Sequence, residues 1–160
     1  MKRMMFGALM ALMMLALPAS VKAEDYKTAC GMIVDLPEGV NVMTDNQQVA
    51  IMSTEDYKFT ITVMPLPEEA TDEEIEQGIA QIAQSANIDT ESVESTKQET
   101  EEFEMGVITA EIETETENGG LVIAVCAHKA TGRRFLVSGV TTDENAELLG
   151  EVIGKLRLEE

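Results

Sequence analysis

The chain holds one histidine, His128, and two cysteines, Cys30 and Cys126. A single imidazole excludes any site that needs two, including the zinc-binding H-E-x-x-H helix. Neither cysteine stands in a C-x-x-C, so thioredoxin-type exchange has no support. No G-x-S-x-G elbow, phosphate-binding glycine loop or dinucleotide fingerprint occurs. His128 therefore reads as an ordinary surface or edge residue at a strand end.

Four glutamates, Glu111, Glu113, Glu115 and Glu117, recur with period two. On a strand that spacing puts them on one face, neighbours roughly 6.5–7 Å apart. Calcium needs oxygens at about 2.3–2.6 Å, so two neighbours do not easily share one ion. The ladder reads first as a solvated face that guards a strand against stray pairing. Glu111, Glu113 and Glu115 remain weak candidates for a cation, and carboxylate-pair catalysis is the least favoured reading. His128, Lys129, Arg133 and Arg134 gather positive charge at one hairpin tip. They read as balance for Glu101, Glu102 and Glu104 on the preceding strand. Contact with an anionic ligand or a partner is the alternative. No catalytic residue and no cofactor is expected.

These side chains need elements to place them. Cys30–Asp35 reads as a strand that ends at the turn Leu36-Pro37-Glu38-Gly39. A second apolar run covers Val49–Ser53, and Thr54-Glu55-Asp56 reads as a turn. Lys58–Val63 alternates polar and apolar as a half-buried strand does, until Pro65 and Pro67 stop it. Thr71 and Glu74 have capping-box spacing, and Ile75, Ile79, Ile82, Ala83 and Ala86 make one apolar stripe up to a stop at Asn87. Residues 88–102 are polar and acidic and read as a surface connection, with one short irregular strand in it as the alternative. Three strands follow: Phe103–Glu117, Leu121–His128 and Phe135–Thr141. The pair Asn118-Gly119 is a strong two-residue hairpin signal. It would set Ile112 opposite Val125 and Glu111 opposite Cys126. The face with Ile108, Ile112, Ile123 and Val125 would be buried, and the other face would mix glutamates with Val122, Ala124 and Cys126. A last helix is expected from Thr141, capped through Glu144, with Leu149, Val152, Ile153 and Leu156 buried.

The order β-β-β-α-β-β-β-α, with adjacent hairpin strands, gives an α+β domain. It is an antiparallel sheet of about six strands with two amphipathic helices packed on it.

Residues 1–23 have the parts of a secretory signal peptide. Lys2 and Arg3 precede the uncharged run Met4–Leu17, and Val21-Lys22-Ala23 suits cleavage before Glu24. That run rises only ~21 Å as a helix, short of a ~30 Å bilayer core. The expected product is one domain, residues 24–160, periplasmic or secreted, with no stable membrane insertion. Without residues 1–23 the formal charge goes from −19 to −22. Such a chain repels phosphate backbones, which excludes general nucleic-acid binding. Export puts Cys30 and Cys126 where disulfides persist. A bridge between them would close about 97 residues, worth ~4–5 kcal/mol in the chain-entropy model. Two buried free thiols are the equal alternative.

The layout resembles the PsbP-like and Mog-type α/β/α sandwich domains, including small exported bacterial relatives. The matching features are a strand into Asp35-Leu36-Pro37-Glu38-Gly39-Val40, a paired strand with a proline-bounded end, an acidic-capped helix, a three-strand meander at 103–141 and a closing helix into Lys155-Leu156-Arg157-Leu158. Val40 takes the place of a tryptophan that such domains often have. The resemblance covers about residues 30–158. It implies no shared catalytic residues and an accessory, partner-binding role, with another envelope or secreted protein as partner. A small-ligand or divalent-cation-binding module is the alternative function, and a hydrolase without a recognised motif is the third.

Overall fold

The computed structural model describes residues 23–85, 88–113 and 118–158. All of the expected leader but Ala23, the helix stop at Asn87 and the glutamates Glu115 and Glu117 lie outside them.

Ten strands and two α-helices occur among the described residues. They are β1 (Ala23–Lys27), β2 (Met32–Pro37), β3 (Asn41–Asp45), β4 (Ala50–Ser53), β5 (Phe59–Pro65), α1 (Asp72–Ser85), β6 (Ile88–Glu99), β7 (Phe103–Glu113), β8 (Asn118–His128), β9 (Arg134–Thr142), a 3-10 turn (Asp143–Asn145), α2 (Ala146–Gly154) and β10 (Arg157–Leu158). Seven strands form one sheet in the order β3-β4-β5-β9-β8-β7-β6, and β1-β2-β10 form a small second one. All pairings are antiparallel. The α+β class and the layered arrangement are as the sequence led us to expect.

Strand alternation sorts the large sheet into two faces. On one, Phe59, Ile61 and Val63 of β5, Phe103 and Val107 of β7, Val122 and Cys126 of β8 and Phe135 of β9 pack with α2 and the small sheet. Phe59, Phe103 and Phe135 are at most 1% exposed. Each such burial is worth roughly 1.5–3 kcal/mol, so this layer carries most of the stability. Gly139 makes room for α2, since a Cβ there would lie 2.6 Å from Leu149 Cδ1. The other face holds a thinner layer, with Leu121, Ile123 and Leu136 buried in it and Ile79 and Ile82 of α1 laid over them half-buried.

Four expectations are corrected. Residues 88–99 form a twelve-residue edge strand, where a surface connection with at most one short irregular strand was expected. Polar side chains suffice there because a bulged edge strand needs backbone pairing to β7 more than burial. Two short strands, β1 and β10, flank β2 and raise the count beyond six. Asn118 and Gly119 belong to β8, paired with Glu113 and Ile112, so they are not the turn between β7 and β8. Ile112 thus faces Gly119 and Glu111 faces Gly120. Gly119 is held against β9, where a Cβ would meet Thr141 O at 2.3 Å. The last helix starts at Ala146 after a 3-10 turn, with no side-chain cap, because Thr141 is still paired to Phe59 and Gly120.

Candidate functional site

The basic residues come together at the β8–β9 end as expected, but His128 is not a surface residue. It is 3% exposed. Its Nδ1 lies 2.8 Å from Thr131 Oγ1 and its Nε2 lies 3.4 Å from Glu102 Oε1. Its ring packs on Phe103 with centroids 5.2 Å apart. The order Thr–His–Glu has the outline of a nucleophilic relay. The Thr131 hydroxyl, however, also accepts the Arg133 N–H at 3.3 Å, inside the turn that His128 closes. The arrangement acts as a clip for the hairpin. Lys129 pairs with Glu99. Arg133 donates to Cys30 O at 3.1 Å and sits 5.1 Å above the Phe135 ring. Arg134 donates to Ala70 O at 2.7 Å and pins the loop before α1. Each basic group of the tip therefore has a partner within the chain.

Glu111 is 5% exposed, not solvated. The small sheet and α2 cover its face, and its partner across the ladder is Gly120. Glu113 continues β7, and the remaining glutamates lie outside the described residues. Among the described residues no group of three or more His, Cys, Asp or Glu is placed to hold a metal ion. Cys30 and Cys126 are both free thiols, the first half-buried and the second fully buried. Burial pushes the Cys126 thiol up to about 12.

The opposite end of the large sheet carries an open cleft. Along β8 it is about 33 Å from His128. The cleft, of 840 Å³, runs between Gly39, Asp56, Lys58, Asn118, Asp143 and Glu144. A second hollow of 180 Å³ adjoins it, sharing Lys58, Asn118 and Thr142, and is lined on one side by Tyr57. Tyr57 is 64% exposed, and its φ of 58° is left-handed. Such a backbone costs a bulky L-residue about 1–2 kcal/mol.

The β4–β5 loop holds that conformation by a closed set of hydrogen bonds. Tyr57 N donates to Thr54 O at 3.0 Å, and Thr54 Oγ1 donates to Asp56 Oδ1 at 2.7 Å. Lys58 N donates to Asp56 Oδ1 at 3.1 Å, and Phe59 N to Thr54 Oγ1 at 3.2 Å. The bonds from Thr54 and from Lys58 N hold the Asp56 carboxyl below its ordinary range. The sequence marked this stretch only as a turn. The added signal was Thr54 two residues before Asp56, with the next aromatic residue, Tyr57, held out into water.

No family model matches the sequence, and no curated protein is detectably similar to it. Solved structures do share the fold. A protein from Bacteroides thetaiotaomicron VPI-5482 aligns with a TM-score of 0.58 at 10% identity, over 88% of this chain and 50% of its own. The chain thus spans about half the length of that protein. The Saccharomyces cerevisiae Ran-binding protein Mog1p aligns at 0.55 with 9% identity, over 87% of this chain and 96% of its own. LpqN of Mycobacterium tuberculosis, a protein involved in cell envelope biogenesis, aligns at 0.51 with 5% identity, over 81% and 83%. At these identities the likeness is one of fold. It places the chain in the Mog-type architecture that the sequence pattern resembled.

Proposed function

We propose that this chain is an exported accessory domain that acts by binding another envelope or secreted protein rather than by catalysis. The observation that carries this reading is Tyr57, an aromatic side chain kept in solvent by a loop that accepts backbone strain to hold it there. Exposed tyrosines on rigid supports are favoured anchors of protein interfaces because they bury much area at little entropic cost. The cleft beside it is rich in carboxylates, with Glu55, Asp56, Asp143 and Glu144 set against Lys58. Two neighbours in fold support the same direction. Mog1p is a Ran-binding protein, and LpqN is involved in cell envelope biogenesis. The signal-like residues 1–23 support export.

The test is a photo-reactive amino acid at position 57 in the exporting cell. A single dominant protein adduct, lost when Asp56 is changed to Ala, is the expected result. Labelling of nothing but solvent-derived products counts against the proposal. The cleft volume favours one second reading, since 840 Å³ lies within the range of small-ligand sites. Calorimetry with Ca²⁺ and other divalent cations tests its cation version, and flat heats dismiss it.

A further inference from the structure

The site around Tyr57 has an apolar part and a charged part. The apolar part is the hollow of 180 Å³, walled by exposed Tyr57 and half-buried Ile112 and Val140, to which Gly119 adds only backbone. Small-molecule sites hold roughly 300–1,000 Å³, so this recess is sized for one long side chain. The cleft that adjoins it supplies the charge. Lys58, Asn118 and Thr142 line both, so a side chain laid in the hollow ends where the cleft begins. Glu55, Asp56, Asp143 and Glu144 line the cleft, and the exposed Glu38 and Glu147 stand just beyond its lining.

At this end Lys58 is the one basic side chain among the described residues. Lys97 and the tip residues Lys129, Arg133 and Arg134 lie toward the other end of the large sheet, Lys27 and Arg157 pair with Ile33 in the small sheet, and Lys155 follows α2. Thr54, then the Lys58 N–H, hold the Asp56 carboxyl low, and the nearby Lys58 charge adds to them. Glu55, Asp143 and Glu144 have no basic partner among the described residues. A cation entering here meets one ammonium already set against Asp56 and three carboxylates without a counter-charge.

Exposed ion pairs are each worth little, so charge alone does not choose the occupant. The aromatic ring and the apolar walls do. A guanidinium stacks on a tyrosine face and offers carboxylates a planar fork, while its methylene stem covers apolar surface. Lysine has the stem but no plane to stack. A second copy does not supply the group, because Arg133 and Arg134 are held by carbonyls of their own chain and Arg157 by Asp25 and Asp35. We infer, resting on the reading of Tyr57 as an anchor for another protein, that the hollow takes an arginine side chain of that protein, its stem against Tyr57, Ile112 and Val140 and its guanidinium toward the carboxylates of the cleft.

The probe is a ten-residue Gly-Ser peptide in which two arginines flank one leucine, titrated into the protein and followed by amide NMR shifts at 0.05 and 0.15 M salt. A Kd of about 10–100 μM is expected at the lower salt, weaker at the higher, with shifts centred on residues 55–58, 118–119 and 140–144. Citrulline in place of arginine keeps the shape and removes the charge, and should cost at least about tenfold; lysine should cost about threefold. Tyr57→Ala should weaken binding about tenfold, and Asp143→Asn with Glu144→Gln about fivefold. Lys58→Glu should tighten it about threefold, a gain that misfolding does not imitate. No binding at low salt, equal binding of the citrulline peptide, or weaker binding by Lys58→Glu overturns the inference. So does spermidine binding as well as the peptide, which would mark an unselective negative surface, or a dimer in sedimentation that Tyr57→Ala dissolves. Adducts at position 57 in cells with no response to the arginine peptide leave the Tyr57 reading standing and overturn this one. Arginine-specific binding without adducts does the reverse.

Discussion

The Tyr26 hydroxyl donates to Asp45 Oδ2 at 2.5 Å, joining β1 of the small sheet to β3 of the large one. The other oxygen of the same carboxylate accepts Ala29 N–H at 2.8 Å. Asp45 thus holds both the strand and the turn that follows it. A hydrogen bond to a charged acceptor is worth about 1.5–3 kcal/mol. Tyr26→Phe removes one such bond, and Asp45→Ala removes both. The expected order of urea midpoints is wild type, then Tyr26→Phe, then Asp45→Ala, with unchanged slopes. The Asp45 carboxylate first, then burial, raises the Tyr26 phenol above its ordinary value. Its stabilising share is complete below about pH 10 and is lost as pH climbs through the raised value. Tyr26→Phe should therefore show a smaller alkaline decline than wild type.

Close contact at Gly139 predicts a paired effect. A Cβ there runs into the Leu149 side chain, with 2.6 Å to Cδ1 and 2.9 Å to Cδ2. Gly139→Ala should cost about 1–3 kcal/mol through overpacking. Leu149→Ala alone should cost about 2–5 kcal/mol through the cavity it leaves. Combined, the new methyl occupies part of that cavity, so the double variant should be less destabilised than the two costs added. Strict additivity would show that α2 shifts away from β9 instead. Gly119→Ala has no such remedy, because its obstacle is the Thr141 carbonyl, and it should cost more than Gly139→Ala.

Thiol counting separates the two cysteines. Cys30 is half-buried in the β1–β2 turn, with Thr28 Oγ1 3.2 Å from its sulfur. Cys126 is fully buried and its thiol resists ionisation up to about 12. A disulfide reagent at pH 8 should react with one thiol per folded chain and two in denaturant. Two fast thiols in the folded state would contradict the packing of Cys126 against β7 and β9. None in denaturant, in protein purified without reductant, would mean that the bridge forms after export.

The parts that the sequence disclosed are those where one local rule acts alone. Thr71 and Glu74 do form a capping box, with Thr71 N to Glu74 Oε2 at 3.0 Å and Glu74 N to Thr71 Oγ1 at 3.2 Å. The alternation through Phe59–Val63 gave a strand with its burial pattern intact. Where tertiary pairing competes with a local signal, pairing won. Asn118-Gly119 is a strong turn signal, yet β9 holds Gly119 too closely for a turn there. β6 escaped notice because its side chains are polar, and an edge strand is stabilised through its backbone. Glu111 and His128 were placed on the surface because their types are usually exposed. The layer over their face, built from β1, β2, β10 and α2, brings together residues more than a hundred positions apart. Tyr57 was missed because a left-handed tyrosine leaves no pattern of spacing.

Arg157 bridges a pair of carboxylates, and the pH dependence of that pair can be worked out. Asp25 and Asp35 face each other across β1 and β2. Arg157 Nη2 reaches Asp25 Oδ1 at 2.9 Å and Asp35 Oδ1 at 2.8 Å. A hydrogen bond from the Asp35 carboxyl, then Arg157, holds exposed Asp25 below its ordinary range. Burial, then the neighbouring Asp25, raises Asp35. The two therefore titrate as one unit in which Asp35 keeps the proton. Asp25 adds stability above pH ~4 that is lost as pH falls through its lowered value. Asp35 acts in the opposite sense, favouring the folded state in acid and losing that advantage as pH rises through its raised value. Once the pair has lost its shared proton, Arg157 is the group that bridges the two carboxylates. Arg157→Gln should lower the thermal midpoint most at neutral pH, and the deficit should shrink below about pH 4 as a proton takes over the role. Asp35→Asn should gain on wild type as pH rises from 4 to 7, because it removes the carboxylate that resists ionisation. Midpoints of the three proteins across pH 3–8 decide it, and an Arg157→Gln deficit that grows in acid would contradict the shared-proton account.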